Sequence, residues 1–133
     1  MQLEDLIKEA FNAMDFAYVP YSQFKVGAAL LTKSGKVFTG CNIENSSYGA
    51  TVCAERVAIF KAVSSGEKDF DTIVIATNTN EPSPPCGICR QVMSEFSSEL
   101  KIVLVNNKGK IIETNLKELL PLSFTKDNLK NGG

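Results

Sequence analysis

Apolar residues recur along this chain with two spacings, and the alternation of those spacings predicts its elements. Between positions 3 and 18 they come three or four apart, which predicts an amphipathic helix. The nearly unbroken apolar run at 24–32 predicts a strand buried on both faces. Ser34-Gly35 is a turn signal, so residues 36–44 are expected to return as the second strand of a hairpin.

The rest of the chain alternates helices and strands. Thr51 is expected to cap a helix that runs to about residue 63, and because this segment is apolar on nearly all sides it should be buried. The further predicted elements are a strand at 71–77, a helix from Pro85, strands at 101–105 and 110–114, a short helix at 116–121 and an aperiodic tail at about 121–133.

This order of elements predicts an α/β protein with helices on both sides of a five-stranded mixed sheet, a three-layer α/β/α sandwich. A chain of 133 residues with no linker or repeat is expected to form one domain, 1–133. Its formal net charge of −1 argues against a nucleic-acid partner and for a small-molecule substrate. No apolar run is long enough for a membrane span, and the acidic start is unlike a signal peptide, so we expect a cytoplasmic protein.

Two short segments carry the candidate chemistry. Cys53 and Glu55 lie two residues apart, and Cys86 and Cys89 follow in Pro-Cys-x-x-Cys spacing. Zinc accepts thiolates, and a catalytic zinc keeps three protein ligands and an open position. The chain has no histidine, so its metal ligands would be thiolates or carboxylates. Cys-x-Glu with Pro-Cys-x-x-Cys is the thiolate form of the zinc-deaminase signature.

The charge of such a site raises a second expectation. Three thiolates carry one more charge than Zn²⁺, and an excess of negative charge works against activation of water. Arg56 and Arg90 have helical spacings to Cys53 and Cys86, so either guanidinium could hydrogen-bond a thiolate. Both are equally consistent with ordinary surface arginines.

The strand at 36–44 carries a possible pair of binding groups. Its two-residue period places Asn42 and Glu44 on one face, where they could bind a polyol or simply end the strand at a solvated edge. Cys41 faces the opposite way and is expected to be a small core residue.

Three segments carry a resemblance to a known family: FAYVPYSQFKVGAAL at 16–30, GCNIENSSYGATVCAER at 40–56 and PPCGICRQ at 84–91. Through these segments the chain resembles the small homotetrameric cytidine deaminases. The resemblance implies deamination of cytidine and 2′-deoxycytidine with one Zn²⁺ per chain on Cys53, Cys86 and Cys89. In that family the glutamate matching Glu55 takes a proton from zinc-bound water and passes it to the pyrimidine and the leaving amine.

The resemblance also implies a substrate site shared between subunits. Phe24 would pack on the base, and Asn42 and Glu44 would hold the ribose hydroxyls. Tyr48 and the tail residue Phe124 would reach a neighbouring subunit's site in a homotetramer. Ala54 is the remaining residue that we expect to contact substrate.

Three alternatives remain at this stage. Cys86-Gly-Ile-Cys89 could be a redox pair, although that leaves Cys53 and Glu55 without a role. Cys41 could supply the fourth ligand of a closed structural zinc site. A related aminopyrimidine, such as a nucleoside antibiotic, could be the substrate in place of cytidine.

Overall fold

The computed structural model describes residues 1–130, so the last three residues of the expected tail lie outside the described residues. In chain order its elements are α1 (Leu3–Met14), β1 (Val26–Thr32), β2 (Val37–Cys41), α2 (Ala54–Ser64), β3 (Phe70–Thr77), α3 (Gly87–Phe96), β4 (Lys101–Asn106), β5 (Ile111–Asn115), α4 (Leu116–Leu119) and α5 (Lys126–Lys130), with one 3₁₀ turn at Tyr48–Ala50.

The five strands form one sheet in the order β2-β1-β3-β4-β5. β3 and β4 pair in parallel, and the other neighbours pair antiparallel, so the predicted five-stranded mixed sheet is confirmed. The parallel pair requires a crossover connection, and α3 provides it. Because β3 leads directly into that crossover, the Cys-x-x-Cys segment is delivered to one end of the sheet.

Helices cover both faces of the sheet, as the three-layer prediction requires. On one face, α2, α3 and α4 pack against alternate strand residues such as Leu30, Ile73 and Ile102. On the other face, α1 packs through Leu6 and Ala10 against a second set of strand residues. The two-residue period of the strands thus divides their apolar side chains between two cores.

The first helix is shorter than its sequence pattern predicts. It ends at Met14 rather than near residue 18 because Tyr18 pairs instead with the chain beyond β2. The amide of Tyr18 donates to the carbonyl of Asn42, and the amide of Glu44 donates to the carbonyl of Tyr18. Tertiary pairing therefore overrides the helical periodicity at this end.

The expected start and burial of α2 also need correction. The helix is capped at Cys53, not at Thr51, whose hydroxyl instead accepts a hydrogen bond from the amide of Asn45. Nor is α2 buried on all sides, since Phe60 remains 48% exposed in the single chain. The tail, expected to be aperiodic, forms the short helix α5.

Gly40 allows α2 to lie directly on the hairpin. A Cβ at this position would come within 2.4 Å of the Ala54 carbonyl oxygen and 2.6 Å of the Ala58 amide nitrogen. Both atoms belong to the backbone of the helix that follows Cys53, so side-chain rotation cannot relieve the overlap. None of the helices described for residues 1–130 is long and apolar enough to cross a bilayer.

We therefore expect Gly40→Ala to push α2 off the sheet and to lower the free energy of unfolding by about 1–3 kcal/mol, the usual range for overpacking. Chemical denaturation monitored by circular dichroism measures this change. Gly49→Ala is the matched control, since a Cβ there meets nothing within 4 Å. Equal stability of the two variants would contradict the close approach of α2.

Candidate metal centre and active site

Three cysteine sulfurs meet where two helices begin. Cys53 is the N-cap of α2, Cys86 is the N-cap of α3, and Cys89 lies buried in the first turn of α3. Their Sγ atoms all lie within 4.8 Å of one another, and those of Cys53 and Cys86 are 3.8 Å apart. The helices predicted from Thr51 and from Pro85 are thus present, and the cysteines lie at their starts.

This geometry fits zinc. Two thiolates on a tetrahedral zinc, each at about 2.3 Å, are separated by about 3.8 Å, which is the distance between Cys53 Sγ and Cys86 Sγ. Cys41 lies outside the cluster, on β2, and is a free, half-buried thiol. The sulfur group therefore has three members within residues 1–130, the number typical of a catalytic zinc site.

The cluster already favours a thiolate without a metal. Hydrogen bonds from Cys89, Arg56 and Cys86 lower the pKa of Cys53 to about 5. The pKa of Cys89 is raised, mainly because its thiol is the hydrogen-bonding partner of the Cys53 sulfur and because it is buried. The site thus holds negative charge on sulfur where a cation would bind.

The two candidate arginines differ in their contacts. The Nη2 of Arg56 lies 3.4 Å from the Sγ of Cys53 and donates a hydrogen bond to it. Arg90 donates instead to the carbonyl oxygens of Pro85 and Leu119, each at 2.8 Å. Within residues 1–130 it makes no hydrogen bond to a sulfur atom, so the expected contact of Arg90 with a thiolate is absent. Its guanidinium therefore links the segment just before Cys86 to α4.

Glu55 lies in the first turn of α2 and is 4% exposed. Burial raises its pKa to about 7 in the metal-free chain, so its carboxyl group can both accept and release a proton near neutral pH. Together with Cys53 and Cys86, it lines a cavity of about 180 Å³, which we call the deep cavity.

The deep cavity also contains three of the residues expected to contact substrate, Phe24, Asn42 and Ala54. Asn42 is buried, and its amide already binds backbone: Oδ1 accepts from the Val26 amide, and Nδ2 donates to the Phe24 carbonyl. It therefore shapes the cavity wall rather than ending a strand in solvent.

The two remaining predicted contacts in this part of the chain lie just outside. Glu44 and Tyr48 line an open groove of about 380 Å³ with Tyr21, Ser22 and Thr51, which we call the outer groove. Thr51 lines both spaces, so they adjoin. Ligand sites usually measure about 300–1,000 Å³. The deep cavity alone is smaller than this and has room for a single ring, so the group attached to that ring would extend into the adjoining outer groove.

Phe124 is not among the residues that line the deep cavity of its own chain. Its ring is 57% exposed, and its carbonyl oxygen accepts a hydrogen bond from the side chain of Gln91 on α3. The tail is therefore attached to the helix that carries the Cys-x-x-Cys segment.

Two polar residues of the deep cavity are not predicted from the sequence. Thr77 and Ser83 line it beside Pro84, and both hydroxyls lie within hydrogen-bonding distance of Thr79. Thr77 ends a buried strand, and a polar residue at that position is the only sequence signal that it faces a cavity. Ser83 has no signal beyond its closeness to Cys86.

Known proteins are similar to this chain in sequence and in fold. The family model described as "Cytidine and deoxycytidylate deaminase zinc-binding region" matches residues 1–112. A cytidine deaminase of Halalkalibacterium halodurans is 52% identical over 98% of this chain and 100% of its own. A blasticidin-S deaminase of Bacillus cereus is 39% identical over 92% of each chain.

Solved structures agree with these sequence matches. The crystal structure of a cytidine deaminase from Burkholderia pseudomallei superposes with a TM-score of 0.90 at 48% identity, covering 93% of this chain and 100% of that one. Together with the three-cysteine centre at two helix starts, these matches identify a zinc-dependent deaminase. The chain belongs to the cytidine and deoxycytidylate deaminase family, and Zn²⁺ is its metal.

We expect one zinc ion per chain, bound through sulfur and without nitrogen ligands. Cys86→Ser should lose zinc and stability together, because metal binding and folding are linked. Plasma mass spectrometry gives the metal content, and X-ray absorption gives the ligand atoms. Cys41→Ser is the matched control and should keep its zinc. Loss of zinc in that control, or nitrogen in the first coordination shell, would contradict a centre of Cys53, Cys86 and Cys89.

Proposed function

We propose that this chain is a cytidine deaminase that converts cytidine and 2′-deoxycytidine with water to uridine and 2′-deoxyuridine, releasing ammonia. The observation that carries the proposal is the buried carboxyl group of Glu55 in the same cavity as the thiols of Cys53 and Cys86. Family membership and the high identity to cytidine deaminases support the same reaction.

Glu55 performs the proton transfers in this proposal. Bound zinc supplies Lewis-acid chemistry that activates water as a nucleophile near neutral pH. The Glu55 carboxylate accepts a proton from the attacking water and delivers it to the ring nitrogen N3. It then accepts the second proton of the same water, from the hydroxyl group now on C4, and delivers it to the amine, which leaves as ammonia. In the metal-free chain burial raises the pKa of this carboxyl group to about 7, so both its protonated and its ionised form are accessible near neutral pH.

The deep cavity and the outer groove hold different parts of the nucleoside. The base enters the deep cavity and lies against Phe24 and Ala54. The sugar extends past Asn42 towards Glu44 and Tyr48 in the outer groove. The apolar walls select a ring, and the polar groups at the mouth select its hydroxylated substituent.

Arg56 offsets the charge of the metal centre. The negative charge of three thiolates exceeds the positive charge of Zn²⁺ by one. The hydrogen bond from Arg56 to Cys53 withdraws electron density from one sulfur. This keeps the metal acidic enough to activate water. Arg90 has different contacts, since its guanidinium links the carbonyl of Pro85, just before α3, to that of Leu119 in α4.

A related substrate remains the second candidate because the relatives include a blasticidin-S deaminase at 39% identity. Blasticidin S, like cytidine, contains an aminopyrimidine. Ultraviolet assays of cytidine, 2′-deoxycytidine and blasticidin S at equal concentration decide between them. Turnover of blasticidin S alone would replace the proposed substrate without changing the reaction.

The proposal includes one catalytic domain over 1–133, a cytoplasmic location and a homotetramer with shared sites. Three observations support an assembly: Phe60 on α2, Tyr48 at the outer groove and Phe124 on the tail are all large aromatic residues at least 48% exposed in the single chain. Aromatic residues of this kind are enriched in protein interfaces.

Glu55→Gln should keep zinc and bind nucleoside while its turnover falls by about 10²–10⁴-fold, because only proton transfer is removed. Metal analysis, calorimetric titration with cytidine and the ultraviolet assay measure the three properties. Glu95→Gln, at an exposed position on α3, is the matched control and should match the parent protein. Near-normal turnover of Glu55→Gln would show that another group carries the proton.

Light scattering should report a mass of four 14.5 kDa chains. Mixing Glu55→Gln with Phe124→Ala under conditions of subunit exchange should restore part of the activity, because some sites then combine an intact Glu55 with a neighbour's intact Phe124. Each variant incubated alone is the control. Fully active monomers, or no recovery on mixing, would contradict shared sites.

A further inference from the structure

The turn between α1 and β1 adopts an unfavourable backbone conformation beside the proposed substrate site. Gln23 has φ of +58°, in the left-handed region that non-glycine residues rarely occupy. It lies directly before Phe24, which lines the deep cavity. The amide of Gln23 donates to the carbonyl of Val19 at 3.0 Å within the turn, and further contacts reach the turn from outside.

The carboxylate of Glu44 supplies those contacts. Its Oε1 accepts hydrogen bonds from the amide of Tyr21 at 3.1 Å and from the amide of Ser22 at 3.0 Å, and its Oε2 accepts from the hydroxyl of Ser22. The Ser22 hydroxyl is also the main reason that the pKa of Glu44 is lowered, with the two amides adding to the effect. Glu44 is thus held as an anion in a fixed orientation.

Ser22 connects this carboxylate to the deep cavity. Its Oγ donates to Glu44 and accepts from the amide of Phe24 at 3.0 Å. The carbonyl of Phe24 in turn accepts from the side chain of Asn42 at 2.7 Å. Because a hydroxyl has one proton, donation to Glu44 turns the lone pairs of Oγ towards the Phe24 amide. One side chain therefore orients the residues of both substrate spaces.

The Glu44 carboxylate can accept few further hydrogen bonds. A carboxylate has about four acceptor sites, and the protein fills three of them. The one left, on Oε2, can accept a single hydroxyl proton from a ligand in the outer groove. Without the Ser22 hydroxyl, the Oε2 atom would be free to turn towards water, and its alignment with a ligand would be lost.

We infer that Ser22 is a positioning residue that aligns the Glu44 carboxylate with a sugar hydroxyl and fixes Phe24 beside the base, so that it sets the preference for hydroxylated nucleosides. This inference rests on the proposed function. Ser22 itself touches no reacting atom, and its effect passes through Glu44 and Phe24.

The first measurement separates the kinetic constants of Ser22→Ala. A hydrogen bond to a charged group contributes enough that its loss should raise KM for cytidine roughly tenfold, while kcat changes by less than about threefold because Glu55 and the metal centre are untouched. Ser22→Thr keeps a hydroxyl on the same backbone position and should restore most of the loss. Ser34→Ala is the matched control, because Ser34 also donates to a carboxylate, that of Glu67, at the far end of β1.

The second measurement compares cytidine with 2′,3′-dideoxycytidine, which lacks the hydroxyls that Glu44 would bind. The ratio of their kcat/KM values should fall about tenfold in Ser22→Ala, because only the hydroxylated substrate loses an interaction. A general loosening of the fold would instead lower both values by the same factor and leave the ratio unchanged. The ratio in Ser34→Ala should equal that of the parent protein.

The outcomes distinguish the two proposals. A parent protein that does not deaminate cytidine refutes the proposed function and this inference with it. An active parent whose substrate ratio is unchanged by Ser22→Ala, with folding verified by circular dichroism, refutes the inference alone. If Ser22→Ala does not fold, Ser22→Cys serves for the same comparison, because a thiol is a weak donor.

Discussion

The meeting of three sulfur atoms within 4.8 Å is the constraint on which the rest of the structure depends. Two of them cap separate helices, so α2 and α3 must begin at the same place. The close contact of Gly40 with α2 and the crossover from β3 into α3 bring those helix starts together. Before any cation is bound, Cys53 carries the negative charge of this cluster, and hydrogen bonds from Cys89 and Arg56 stabilise it.

Polar side chains around the site mostly hold the backbone in place. Both polar atoms of Asn42 bind main-chain groups of the segment 24–26, and Glu44 binds the amides of the turn that precedes it. Loops have few contacts of their own, so a site built on them needs such support to keep its geometry. The carboxylate and the amide thus hold the backbone around the site, which limits how far either side chain can move.

Arg56 and Arg90 show how far local spacing can predict a contact. Both stand within one helical turn of a cysteine, yet Arg56 reaches a sulfur and Arg90 reaches two carbonyl groups. The difference arises because α4 places the Leu119 carbonyl beside Arg90, and α4 is 29 residues further along the chain. No pattern near the cysteines contains that information. The start of α2 is a similar case, because Thr51 is occupied by the Asn45 amide and the cap passes to Cys53.

The sequence by itself determined the order of helices and strands, the mixed sheet and the three sulfur ligands, because hydrophobic period and ligand spacing are local properties. Only the tertiary structure decided where α1 ends, which arginine meets a thiolate, and how Asn42 and Glu44 are used. Each of these depends on a contact between residues distant in the chain, such as Tyr18 with Asn42 or Ser22 with Glu44. Such contacts exist only after the sheet has brought the segments together, and that is the physical reason they cannot be derived from spacing alone.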